Sequence, residues 1–214
     1  MIYSVEQIKR DVRVALDENR VSTQLLETDD IDTLSLDELI TSKIVDAARI
    51  VEGNAPVEML DAGKALSGSI TFASNVGVGR GRMQLPDDFM RLLTFKMSDW
   101  ERAVTEPISE RDPLYRRQSS KFSGVRGNPE RPVVAIVREP TGLVLEFWSC
   151  EGGSTVVLQR GRYLPYPKIV SNNIELCEKL YAAIVMYTAY LVAMSTDNDR
   201  AESLRVIAEK LASV

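Results

Sequence analysis

The chain of 214 residues contains no histidine. That absence removes the commonest general base, the commonest metal ligand and the usual partner of a serine or cysteine nucleophile, so no catalytic triad can be drawn. Cysteine is scarce: only Cys150 and Cys177 occur, a spacing that makes neither a zinc motif nor a disulfide framework and reads as two buried thiols. An excess of positive charge is also missing. The 26 lysines and arginines face 31 aspartates and glutamates, and the formal net charge of −5 argues against a strongly held nucleic acid. It leaves open a conduit, because an acidic wall keeps a passing duplex from sticking. No hydrophobic run is long enough for a bilayer. Leu180 to Met194, "LYAAIVMYTAYLVAM", carries no charge but spans only 15 residues, against the roughly 20 a membrane helix needs. "MIYSVEQIKRDV" is charged from Glu6 onwards and is expected to be neither a signal peptide nor an anchor.

What is present is ordinary globular composition, 44% hydrophobic and 27% charged, enough for one well-filled domain. Ser4 with Gln7 has the form of a capping box and opens a helix to about Asn19, with Val5, Ile8, Val12 and Leu16 on one stripe. Residues 20–34 are acidic and without period, and read as a loop. Ser35 with Glu38 repeats the capping pattern before a second helix that ends at Gly53-Asn54, and a short helical turn is expected at Val57 to Leu60. Helical spacing returns from Asn173, where Leu176, Cys177, Leu180, Ile184, Tyr187, Leu191 and Met194 trace one face of a long apolar helix. A last amphipathic helix points Ala201, Leu204, Ile207, Ala208 and Leu211 inward.

Between the helices the period changes to that of strands: 69–73, 82–85, 91–97, 131–137, 143–148 and 154–160 are short β-rich runs between Gly, Pro, Asn and Asp. "EPTGL" (139–143) and "CEGGST" (150–155) read as hairpin turns, so the last three strands are expected to form a meander. A short surface helix is expected within 109–120, followed by a polar loop to Pro132. The expected fold class is α+β: a mainly helical core from residues 1–67 and 168–214, with 68–167 an inserted antiparallel β subdomain, one domain in all.

Candidate sites are few. Gly77, Gly79 and Gly81 resemble a phosphate loop, but the glycine spacing is wrong and a strand and Pro86 follow where a helix should start. The expected role is a flexible hairpin loop whose glycines allow positive φ. Asp29-Asp30-Asp32 lacks the glycine and distal glutamate of a calcium loop, and Asp87-Asp88 sits at a turn where aspartate bonds backbone amides. Arg111, Arg116, Arg117, Lys121 and Arg126 form a basic set weighted towards an acidic protein partner. No catalytic, cofactor-binding or metal-binding residue is assigned, and no enzyme activity is expected.

The stretch "LPDDFMRLLTFKMSDWERAVTEPI" (85–108), the later "LEFW" (145–148) and "GRYLPYPKI" (161–169), and the apolar helix after them resemble head-to-tail connector proteins of tailed bacteriophages. The resemblance is to the adaptor or neck-ring proteins particularly of short-tailed phages and their crAss-like relatives. The resemblance implies a virion structural protein, made in the host bacterial cytoplasm, whose copies form a ring, usually a dodecamer, below the portal protein. Such a ring extends the DNA channel without sequence-specific binding and docks tail or further neck proteins. The apolar helix is expected to draw part of its cover from neighbouring subunits. The alternatives are a stand-alone α+β ligand-binding module with a pocket of Phe147, Trp148 and Tyr163, and a metal-dependent hydrolase using Asp87 or Asp88.

Overall fold

The computed structural model describes residues 1–17, 35–72, 79–120, 122, 124–150, 155–196 and 198–213. In chain order the elements are β1 (Ile2–Ser4), α1 (Val5–Ala15), α2 (Leu36–Asn54), β2 (Lys64–Ala65), β3 (Ile70–Phe72), β4 (Gly79–Gln84), β5 (Phe89–Met97) and β6 (Ile108–Ser109). There follow α3 (Pro113–Arg117), β7 (Val134–Glu139), β8 (Gly142–Cys150), β9 (Leu158–Pro165), β10 (Ile169–Val170), β11 (Asn173–Glu175), α4 (Tyr181–Ser195) and α5 (Ala201–Ala212). Two compact units result, a terminal one of Met1–Asp61 with Tyr166–Val214 and a middle one of Ala62–Pro165.

In the terminal unit, local chemistry starts both long helices. The Ser4 hydroxyl accepts from the Gln7 amide at 3.2 Å, and Ser35 and Glu38 complete a reciprocal capping box. Burial then follows the helical period: Val5, Ile8 and Val12 on α1, Ile40, Ile44, Ala47, Ala48 and Val51 on α2. Helix α4 packs against α1, α2 and α5, so its charge-free surface finds cover within the chain. The small residues Ala183, Ala189 and Ala193 are buried beside Ile184 and Val192, and allow close helix approach. Strands β1, β11 and β10 pair antiparallel in that order, and Tyr3 stacks on Tyr181 at 4.2 Å.

The middle unit holds a three-stranded sheet, β2-β9-β5, and a five-stranded sheet, β3-β4-β8-β7-β6. Its core is aromatic. Phe147 lies 5.5 Å from Phe95 and 5.6 Å from Trp100 between ring centroids, with Met83, Leu92, Met97, Leu145 and Tyr163 in the same cluster. The β7–β8 hairpin closes through Pro140-Thr141, with Glu139 opposite Gly142 and Gly142 at φ 121°, a conformation few side chains tolerate.

Several expectations need correction. The chain is a mixed α/β protein, 38% helical and 29% strand, with three sheets and 5 helices among the described residues, not an α+β fold with a mainly helical core. The reason is that β1, β2, β10 and β11 are two or three residues long, too short to show a period, and three of them build a sheet inside the terminal unit. The middle unit is not wholly antiparallel either, since β6 pairs parallel with β7. The expected meander ends at β8: β9 leaves for the other sheet and pairs with β5 and β2. The long helix begins at Tyr181, because 173–175 form β11 and Glu178–Leu180 a single tight helical turn. Its expected inward stripe drifts off the core, so that Tyr187 and Leu191 are half-buried and Met194 is 60% exposed. On α5, Ile207 is exposed while Leu204 and Ala208 are buried.

Candidate interaction surface

The five-stranded sheet has two faces of opposite character. Register places Gly81 and Val134 opposite Phe147, and Arg82 and Ala135 opposite Glu146, so the pleat sends the aromatic set one way and the charged set the other. Glu146 is only 1% exposed and is surrounded by donors. Arg80 Nη2 donates to Glu146 Oε1 at 2.8 Å, Arg82 Nε lies 2.9 Å from the same oxygen, and the Tyr115 hydroxyl donates to Oε2 at 3.0 Å. Arg82 also pairs with Glu139. The Arg80 guanidinium lies over the Trp148 ring, 5.5 Å from its centroid, and Tyr115 meets that ring edge-on at 5.5 Å. Burial, and then the Glu146 carboxylate, push the Tyr115 hydroxyl up to about 12. A buried carboxylate is thus met by two guanidiniums and a phenol, while the buried Nε atoms of Arg80 and Arg82 make no hydrogen bond among the described residues.

What this network holds in place is the segment between β6 and β7. Asp112 caps α3 by accepting from the Leu114 amide at 2.8 Å, and Pro113 opens the helix. Tyr115 ties α3 to the sheet, and Gln118 ties it to the chain beyond. The buried Gln118 amide donates to Leu114 O at 3.1 Å and accepts from Gly127 N at 2.8 Å. Gly127 sits where any side chain would strike Ser149, whose hydroxyl accepts from Val133 N at 2.9 Å. Anchored at these points, the segment exposes Leu114, Phe122 and Val125, with Phe122 74% exposed. Arg111, Arg116, Arg117 and Arg131 are exposed around them and form no ion pair among the described residues. Residues 110–131 carry six basic against three acidic side chains, in a chain whose net charge is −5.

The other candidates are placed differently. Gly79 and Gly81 are in strand β4, with a register slip between them as at a β-bulge; Gly81 has no positive φ, and a Cβ on it would overlap the Phe147 ring. Gly81 serves close packing, not the flexible loop expected of it. Gly77, Asp29, Asp30, Asp32 and Lys121 lie outside the described residues. Asp88 is engaged by the middle unit itself: Tyr163 donates to Oδ1 at 2.8 Å and Lys64 to Oδ2 at 2.7 Å. Among the described residues no group of three or more His, Cys, Asp or Glu is placed to hold a metal ion. Phe147, Trp148 and Tyr163 do not converge on a pocket, since Phe147 and Trp148 are successive residues of one strand and face opposite ways. Both cysteines are buried; burial and nearby Asp99 raise the Cys150 thiol, and burial pushes Cys177 up to about 12.

Sequence reasoning missed Glu146, Gln118 and Glu52. Glu146 had a signal, a lone carboxylate inside the apolar run "LVLEFWSC", which a buried strand tolerates only with partners. Glu52 closes one turn of an amphipathic helix, where an acid passes as solvated; the structure buries it, with Oε1 accepting from Cys177 N at 2.7 Å. Comparison with protein-family models and with curated proteins found no match. Among the described residues no helix is long and apolar enough to cross a membrane.

Proposed function

We propose that this chain is a virion structural protein of a tailed bacteriophage, a head-to-tail connector whose copies form a ring below the portal. Ring and portal together line the path of the DNA, and the outer face docks tail or further neck proteins. The observation that carries this reading is the braced segment between β6 and β7. It invests a buried charge network in presenting arginines and apolar side chains to the exterior, as a docking element requires. The order of elements that resembles connector proteins points the same way, and the negative net charge suits a wall that duplex DNA passes without binding. The chain then works by geometry: contacts between copies hold the ring, and exposed loops meet portal and tail.

The apolar helix α4 lends this reading less than its sequence promised. Three helices of the same chain pack against it, and what stays open is Ala182, Met194 and the half-buried Met186, Tyr187, Tyr190 and Leu191. Native mass spectrometry and electron microscopy of the protein, alone and mixed with the portal protein of the same genome, test the proposal. Rings, free or portal-bound, are the expected result. A chain that stays monomeric in both conditions overturns it.

A further inference from the structure

The net charge of −5 is unevenly shared. The middle unit, residues 62–165, holds 15 lysines and arginines against 11 aspartates and glutamates, a net of +4, whereas the terminal unit holds 11 against 20, a net of −9. Part of the middle unit's excess is the 110–131 segment. Of its other cations, Lys64 pairs with Asp88, Arg80 with Glu146 and Arg82 with Glu139. Lys96, Arg160 and Arg162 form no ion pair among the described residues.

Register brings these three onto one face of the β2-β9-β5 sheet. Phe95 lies opposite Gly161, and both look inward: Phe95 is in the aromatic core, and a Cβ on Gly161 would meet Leu66 and Leu158. Alternation therefore turns the flanking pairs, Lys96 with Arg160 and Thr94 with Arg162, to the other face. The neighbouring chain agrees on both sides. Leu66, whose amide donates to Gly161 O, is buried in the same core and leaves Ala65, opposite Arg162, outside. Val104, bridged to Phe95, packs on that core too, and leaves Ala103 and Thr105 outside. Ala65, Ala103, Thr105 and Arg160 are exposed, and Lys96 and Arg162 half-buried. The Lys96 ammonium donates to the Glu101 carbonyl and Arg162 Nη1 to the Ala62 carbonyl, each at 3.3 Å, while Arg160 makes no hydrogen bond among the described residues. The flanking segment adds exposed Glu101, Arg102 and Glu106, and its Asp99 bonds the buried Cys150 thiol, so cations stay in excess. Lys96 and Arg160 face each other directly across two strands, a pairing that weakens a sheet unless an anion lies over it.

We infer that this face contacts the phosphate backbone of duplex DNA. Between its cations stand only Ala65, Thr94, Ala103 and Thr105, with no aromatic side chain to stack unpaired bases and no large apolar one to anchor a protein. The 110–131 segment differs, since its arginines surround exposed Leu114, Phe122 and Val125. Charge without stacking or apolar anchors holds a duplex through its backbone, whatever the sequence. Three cations on a chain that is negative overall hold it weakly, and the contact stands whether or not copies of the chain form rings.

Fluorescence anisotropy tests this with labelled duplexes of two unrelated sequences at rising salt. Both should bind alike, and a log–log plot of affinity against salt should slope between about −2 and −3, as three phosphate contacts require. A Lys96→Gln, Arg160→Gln variant should bind about tenfold more weakly at low salt and lose roughly 2 from that slope. Its thermal stability should not fall, because a like-charge pair has gone. Lys96→Arg with Arg160→Lys should keep the affinity. Arg116→Gln with Arg117→Gln removes the same net charge from the exposed segment and should leave binding unchanged. Equal losses from the two glutamine variants would make binding a matter of net charge and overturn the assignment. Tighter binding of single strands than of duplex would overturn it too, as would binding of polyglutamate in place of DNA. If no duplex binds at low salt while portal-bound rings form, this contact is wrong and the connector reading stands.

Discussion

The terminal unit and the middle unit bury their polar groups by different logic. In the terminal unit each helix sorts its own residues, and the buried acid Glu52 is met by the amide and the thiol of one residue, Cys177. In the middle unit the buried acid Glu146 draws on β4, on α3 and, through Arg82, on the carboxylate of Glu139 in β7. Helical periodicity makes burial a local property, whereas a sheet face is composed from strands distant in sequence. The terminal unit should therefore respond to changes in helical register, and the middle unit to changes in partners.

The largest effect is expected from Ile184→Asp, which would place a carboxylate at a fully buried position of α4 among apolar helices. A loss of roughly 4 kcal/mol or more, read by chemical denaturation, should leave the terminal unit unfolded. Leu191→Asp, two turns further along the same stripe but half-buried, should cost visibly less. Equal losses at the two positions would break the claim that this stripe drifts off the core towards the end of α4.

Phe147→Ala removes the ring shared by Phe95 and Trp100, and should cost about 3–5 kcal/mol. Gly81→Ala should cost about 1–3 kcal/mol by overpacking the same ring. The double variant should lose less than the two singles together, because with the ring gone the methyl has room. Strict additivity would separate Gly81 from Phe147.

Glu146→Gln should destabilise the middle unit by about 2 kcal/mol, a value moderated by the partial exposure of both arginines. Ultraviolet titration should show the Tyr115 hydroxyl moving down from about 12 towards its ordinary range as the carboxylate charge is removed. An unmoved Tyr115 would sever the tie between the sheet face and the exposed segment.

The smallest effect has the opposite sign. Burial raises the Glu52 pKa, so the folded chain binds that proton more tightly than the unfolded one. Stability should then fall as pH rises from the ordinary glutamate value through the folded one, and stay lower above it. Glu52→Gln should be slightly more stable than the parent at neutral pH. That advantage should disappear below the ordinary glutamate range, near about 4.3, where both chains are uncharged at this position. A variant less stable at neutral pH would show that the carboxylate, charged, is what Cys177 N requires.

The helix starts at Ser4 and Ser35, the end of α2 at Asn54, the hairpin at 139–143 and the runs that became β4, β5, β7 and β8 were all legible in the residues, because caps, turns and alternation act within a few positions. Which strands joined which sheet was not legible. β9 follows β8 in the chain yet pairs with β5, and the choice is made by hydrogen-bond partners and an aromatic core assembled from residues far apart. The same holds for the candidate surface. The arginines were visible as a basic set, but their bracing by Glu146, Gln118 and Gly127 exists only once four strands and a short helix have come together. Short-range chemistry is written residue by residue, whereas a face, a brace or a buried charge is a property of neighbours that only the folded chain brings within reach.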